Sequence, residues 1–414
     1  MNIFKSADIL IPNKEQDFSK WSVVACDQYT SEPRYWDEVK DFVGNAPSTL
    51  NITFPEVFLE GNDGDERIKN INATMEKYVS DGIFEELKDS YIYVERTQSD
   101  GKVRHGLIGM IDLEEYDYNK GSTSAVRATE GTIIERIPPR QRIRKNATLE
   151  LPHIMMLVDD IDNLIIAPLK NHTDNMRKVY DFTLMQNSGK IKGWLLTDTL
   201  KAQVNSELDK LEAKKREEDS VSPLIFAVGD GNHSLATAKT CWEELKKNGA
   251  DKNSHPARYA LVELVNLYDD ALVFEPIHRV VFDVDPKNLM HELENYYSEL
   301  SYNDNGGQEI RYCYGETKGT VYIKDGKSNL AIGTIQAFID DYIKEFGGRV
   351  DYIHGENVVC ELAKAKNTIG FMVDGMDKRD LYPTVIKDGS LPRKTFSMGE
   401  AQDKRFYLEA KKIK

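Results

Sequence analysis

Leu224-Ile225-Phe226-Ala227-Val228-Gly229-Asp230-Gly231-Asn232-His233-Ser234 is the stretch that decides the fold of this chain. The apolar run predicts a short buried strand, and the periodic stretch over 234–248, closed by Gly249, predicts a helix. Between them lies a tight, glycine-containing turn. Backbone N–H groups at a helix start lack intrahelical partners and carry partial positive charge, so an anion fits there. Gly231 can take a positive φ and lets a ligand approach the backbone. Asp230 could accept a proton from a hydroxyl or hold a magnesium ion through water, while Asn232 and His233 can donate to phosphate oxygens. The same turn also serves as a plain strand-to-helix connection in which Asp230 or Asn232 caps the helix. It lacks the Gly-Lys-Ser/Thr ending of a Walker A loop and the Gly-x-Gly-x-x-Gly of a dinucleotide fingerprint.

Working outward, the apolar run at 154–158 predicts a second buried strand. Residues 91–97 and 103–112, joined through Ser99-Asp100-Gly101, have the alternation and turn chemistry of a hairpin. Residues 21–25 read as a short strand, and 63–78, 83–89 and 200–217 as helices. Ser31-Glu32-Pro33 reads as a helix start with Ser31 as N-cap. Past Phe282 the pattern gives strands within 309–327, helices over 334–346 and 356–366, and a strand over 368–373. Alternating strands and helices predict a mixed α/β (α+β) protein. The expected organisation is a catalytic lobe over 1–280, with the strand-loop-helix at 224–248, and a smaller α/β lobe over 281–414 that returns residues to the site.

Composition narrows the function classes. With 40% hydrophobic and 30% charged residues over 414 positions, the chain can bury a core. A net charge of -15 argues against general attraction to nucleic acid or anionic membranes. Cys26, Cys241, Cys313 and Cys360 are scattered, with neither zinc-ligand nor disulfide-framework spacing. The N-terminus turns polar too soon for a secretory signal. No apolar run approaches the roughly 20 residues of a membrane span, so a cytoplasmic protein is expected. Oligomeric state is not readable.

Against this acidic background Arg127-Ala128-Thr129-Glu130 and the run Arg136, Arg140, Arg142, Arg144 stand out. Guanidinium forks suit phosphate oxygens through bidentate, charge-assisted bonds, although a charge run is commonly a solvated face. Pro138 and Pro139 limit how much of the second run can be helix. Glu130 is a second carboxylate that could act as general base.

Gly229-Asp230-Gly231-Asn232-His233-Ser234 resembles the Ala-Asp-Gly-His-His-Arg hallmark of the domain of unknown function 1015 family. Further segments follow in the same order. Glu275-Pro276-Ile277-His278-Arg279 is similar to that family's Pro-x-His-Arg. Asp351-Tyr352-Ile353-His354-Gly355 and Leu391-Pro392-Arg393-Lys394-Thr395-Phe396 are similar to its Tyr-x-His-Gly and Met-Pro-x-Lys-Ser/Thr. Arg127-Ala128-Thr129-Glu130 sits where the family has His-Glu-x-Thr. The Asp-Gly-x-His motif also resembles that of free-serine kinases on the fold shared by ParB and sulfiredoxin. The resemblance implies a ParB/sulfiredoxin-like catalytic core, magnesium, and phosphorylation of L-serine from pyrophosphate or ATP/ADP, as in cysteine biosynthesis. It implies Asp230, Glu130 and His233 as catalytic candidates. Gly231, Asn232, Ser234, Arg127, Arg140, Arg142, Arg144, His278, Arg279, Lys394 and Thr395 would be phosphate or substrate contacts.

Asn232 stands where the hallmark has histidine, and Ser234 where it has arginine. Another cation must then supply charge to a phosphate, with Arg140, Arg142, Arg144 and Arg279 as candidates. Competing classes are a phosphohydrolase or nuclease of the ParB-like fold and a non-catalytic nucleotide-binding regulator. A metal hydrolase built on His153, His233, His278 and His354 is disfavoured, because these histidines lack i,i+4 pairing.

Overall fold

The computed structural model describes residues 3–59, 61 and 63–414. They form a mixed α/β protein of two compact units. One comprises the chain up to Leu272 together with Glu400–Lys414, and the other is Val273–Gly399. The boundary expected at 280/281 therefore falls earlier, and the last segment joins the first unit.

The first unit is built on a ten-stranded mixed sheet whose middle holds the motif strand, Phe226–Asp230. That strand runs antiparallel to Met155–Val158 and parallel to Val126–Ala128. Met155–Val158 in turn lies parallel to Tyr259–Asn266. These neighbours are almost wholly apolar and buried on both faces, as interior strands of a helix-covered sheet must be. The register between Met155 and Met156 shifts opposite Asp230. A bulge of this sort bends a strand and re-aims the residues beside it. The extra residue, Gly229, lies on the motif strand, directly before the motif loop.

Several local expectations meet a different outcome. Residues 83–89 are not helical, because Phe84–Ser90 forms a strand paired antiparallel with Ala7–Pro12. A partner strand from the N-terminus overrides a local pattern compatible with helix. Helix Pro33–Val43 starts with Glu32 as N-cap rather than Ser31, without a side-chain cap. Ile137–Arg144 is helical despite its prolines, since both sit in the first turn, where a missing N–H costs no intrahelical bond. Within 21–25 only Val23–Val24 is strand, preceded by the short helix Phe18–Trp21.

The C-terminal segment is threaded through the first unit. Val23–Val24 pairs with Phe406–Tyr407, and Leu149–Glu150 with Lys411–Lys412. Trp21 Nε1 donates to the Leu408 carbonyl at 2.9 Å, and Ser22 Oγ to that of Tyr407 at 2.9 Å. At its centre Arg405, buried, donates to Glu263 and Glu409 at 2.5 Å each. Tyr180 Oη also donates to Glu409 at 2.5 Å, and Arg104 lies 3.6 Å from Glu263. Burial alone would raise the Glu263 carboxyl, but Arg405 and Arg104 outweigh it and hold it below the usual range.

The second unit has its own seven-stranded sheet, with Phe274–Phe282 between Thr368–Met372 and Arg349–His354. Helices Pro286–Tyr296 and Ala331–Phe346 contribute Leu289, Leu293, Ile335 and Ile339 to its core.

Removing one member of a buried ion pair strands its partner in a low-dielectric interior. Arg405→Met removes the main counter-charge of Glu263 and Glu409, leaving them only Arg104 and the Tyr180 hydroxyl, and denaturant unfolding should show a loss of about 3–5 kcal/mol. Adding Glu263→Gln should recover part of it. A single-variant loss under about 1 kcal/mol would show that the pairing is marginal.

Candidate active site

Asp230 ends the motif strand, and Gly231 turns the chain into helix Asn232–Lys247 at φ +79°. A Cβ at Gly231 would stand 3.0 Å from the Ile154 Cα, so glycine is required both by the backbone angle and by space. Asp230 Oδ1 accepts from the Gly231 N–H at 2.8 Å. Among the described residues no side chain caps the helix, and its first turn holds no acidic residue, leaving its positive end available to an anion. The Asn232 side chain is buried, and its Oδ1 has no partner among the described residues.

His233 Nε2 accepts from the Ile133 N–H at 3.3 Å. Burial, then the charges of Arg140 and Arg136, push its pKa down to about 4. The ring is therefore neutral at physiological pH, and with Nε2 accepting, its other nitrogen carries the proton and can donate.

His153, nearly fully buried, lies beside the same loop. Its Nε2 lies 3.4 Å from Asp27 Oδ2 and 3.4 Å from Ser234 Oγ. Its Nδ1 faces Tyr407 Oη at 3.1 Å, and Tyr407 donates to Cys26 Sγ at 2.9 Å. Burial opposes a charged His153, but Asp27, Asp230 and Glu56 outweigh it and raise the imidazole above its ordinary value. Burial likewise opposes a charged Asp27, and His153, Gln28 and Lys404 overcome it, holding that carboxyl far below the usual range. The two form an ion pair. Ser234, His153 and Asp27 are not arranged as a nucleophile relay: a relay aspartate orients the nitrogen opposite the serine, whereas Asp27 and Ser234 share one nitrogen here.

A cavity of about 150 Å³ opens here, with Glu56, Arg140, His153 and Ser234 at a polar side and Phe54 and Met75 at an apolar one. That is room for roughly five waters or a small metabolite. Burial raises the Glu56 carboxyl despite its contact with Arg140.

Of the residues expected at the site, Asp230, Gly231, Asn232, His233, Ser234 and Arg140 are gathered here. Glu130 is exposed, one residue beyond Thr129, whose hydroxyl donates to the Val228 carbonyl at 2.6 Å. Arg127 points the other way: it bonds the Ser124 carbonyl and Ser222, toward the start of the motif strand. Arg142 is exposed and paired with Asp65. Arg144 also lines the cavity, its guanidinium held by the buried Glu150 at 2.5 Å. His278, Arg279, Lys394 and Thr395 belong to the second unit. Arg279 is buried there among the carbonyls of Ile277, Arg393 and Lys394 and the amide of Gln336, which is a structural tie. His278 is buried and Lys394 exposed, while the Thr395 hydroxyl donates to the Pro392 carbonyl at 2.6 Å. Sequence reasoning did not select Asp27, Glu56, Lys404 or Tyr407. Their signal lies in packing against the motif loop and not in any spacing.

The Asp27–His153 pair sets a pH window for stability. His153 is raised on folding, so its contribution is complete below the unfolded value of about 6.5 and is lost as pH rises through the folded one. Asp27 is lowered, so its contribution is present above about 3.9 and is lost as pH falls through its folded value. Asp27→Asn should therefore cost roughly 2 kcal/mol between those limits, with the gap to wild type narrowing on both sides. Thermal melts across pH check this, and a pH-independent gap would contradict the pair.

No curated protein matches the chain. Among solved structures it is similar to a free serine kinase in complex with AMP, with a TM-score of 0.37 and 11% identity over 76% of this chain and 92% of that one. It is also similar to SbnI from Staphylococcus aureus (0.36, 9%, 70% and 83%) and to a conserved hypothetical protein from Pyrococcus furiosus (0.33, 10%, 74% and 92%). No helix among the described residues is long and apolar enough to cross a membrane. The sequence itself matches one family over residues 8–379, and the chain belongs to that family, described as protein of unknown function DUF1015.

Proposed function

We propose that this protein is a phosphotransferase, a small-molecule kinase that converts free L-serine to O-phospho-L-serine with pyrophosphate, ATP or ADP as donor. The observation that carries the reading is the uncapped helix start at Gly231, set beside Asp230 and a neutral, proton-donating His233. Phosphoryl transfer asks little covalent chemistry of a protein: it needs anchored phosphate oxygens, compensation of charge and a base for the acceptor hydroxyl. The N–H groups of the helix start and His233 hold the phosphate. Asp230 takes the hydroxyl proton, with Glu130 as the other carboxylate in reach of the reading. The cavity beside Ser234 and His153 holds the acceptor.

Magnesium fits in one way only. Among the described residues no group of three or more His, Cys, Asp or Glu is clustered for a metal. Asp230 as a lone carboxylate suits a magnesium that arrives on the donor's phosphates and keeps its waters. Bound so, it neutralises charge on the phosphate oxygens.

The test is incubation with magnesium, L-serine and each donor in turn, followed by phosphorus NMR. O-phosphoserine from one donor, reduced at least about 10²-fold in Asp230→Ala, is expected. Orthophosphate without phosphoserine would replace the kinase with a phosphohydrolase, and binding without turnover would favour a regulator.

A further inference from the structure

The motif of this chain has Ser234 where the resembling hallmark carries an arginine, so a phosphate at Gly231 needs a cation from elsewhere. Arg142 and Arg144 are committed to Asp65 and Glu150, and Arg140 to Glu56. Arg136 and Arg140 bear on His233, whereas the cation in contact with Asp230 comes from the C-terminal segment. Lys404 Nζ lies 3.3 Å from Asp230 Oδ2, both side chains being largely buried. Lys404 stands beyond the residues 8–379 matched by the family.

Resting on the phosphotransferase reading above, we infer that Lys404 is a catalytic residue, the ammonium that leaves Asp230 to contact the transferring phosphoryl. The backbone on either side of Lys404 is immobilised. Asp403 accepts from the Ser99 N–H at 2.7 Å and its hydroxyl at 2.6 Å, and Arg405 is fixed by Glu263 and Glu409. The Arg405 carbonyl also accepts from the Ala25 N–H at 3.0 Å. Only the flexible lysine stem is left to move, and a point charge on such a stem suits an oxygen whose position changes during reaction. Asn232 Oδ1, buried and without a partner among the described residues, is an acceptor fit for the hydroxyl or ammonium of an acceptor molecule and not for phosphate, a second sign that this loop awaits a ligand.

In the resting protein Lys404 keeps Asp230 Oδ2 engaged. When the donor binds, the ammonium donates to its non-bridging oxygens and Oδ2 is released to the acceptor. The acceptor oxygen then forms a bond to phosphorus while the donor's bridging P–O bond breaks. The bonding pair leaves with the departing phosphate, and the acceptor proton goes to Asp230. Charge compensation and base activation are thereby linked through one residue.

The full chain is used for the test, as wild type, Lys404→Met, Lys404→Arg and Lys412→Met, the last a half-exposed lysine of the same segment paired with Glu86. Calorimetric binding of magnesium pyrophosphate and steady-state kinetics with each donor are measured, after melting curves establish that each variant is folded. Lys404→Met should weaken pyrophosphate at least about tenfold and lower turnover about 10²-fold. Lys404→Arg should retain most of the binding, and Lys412→Met should match wild type. An active wild type with Lys404→Met within about twofold of it in both readouts overturns this inference alone. A wild type that neither binds nor transfers overturns the phosphotransferase reading and this inference together.

Discussion

The buried contact between Arg405 and Glu263 is the constraint on which the site depends. It joins the C-terminal segment to a central strand of the sheet, beside the row in which Met155 is flanked by Glu263 and Asp230. One residue before Arg405 is Lys404, facing Asp230, and two after it is Tyr407, facing His153. A charge pair so deeply buried is weak as a source of stability compared with a hydrophobic replacement of equal shape. Its value is positional: with Glu409 and Tyr180 it fixes the rotation and register of the segment, and hence where its neighbours point.

Two histidines beside the motif loop are driven in opposite directions by their surroundings. His233 loses basicity to burial and to arginine charge, whereas His153 gains it from carboxylates despite burial. Environments that push titratable groups apart divide their roles. A neutral His233 can donate to an anion without adding a charge that must be neutralised elsewhere. A charged His153 keeps Asp27 ionised and holds the inner wall of the cavity in shape.

How much of this the sequence made legible follows from where the information sits. The strand-loop-helix at 224–248 could be read because an apolar run, two glycines and a helical period lie within one window. The segment at 83–89 could not, since its strand exists through pairing with Ala7–Pro12, and nothing local distinguishes it from an amphipathic turn of helix. The arginine run was legible as charge but not as function, because a guanidinium's role is set by its partner. Arg144 meets a buried glutamate at the cavity wall, Arg127 turns toward Ser222, and Arg140 pairs with Glu56 at the same cavity. Asp27, Glu56, Lys404 and Tyr407 come from opposite ends of the chain and carry no motif. Only the threading of the C-terminal segment past Val23–Val24 brings them together.

Phosphotransfer by this protein requires that phosphate bind at the Gly231 turn. The most direct test follows the backbone amide resonances of Gly231, Asn232 and His233 in ¹⁵N-labelled protein during titration with magnesium pyrophosphate. All three should shift together and saturate with one affinity, along with the His233 ring nitrogens. Saturable shifts confined to other parts of the chain, or none at these amides, would contradict it.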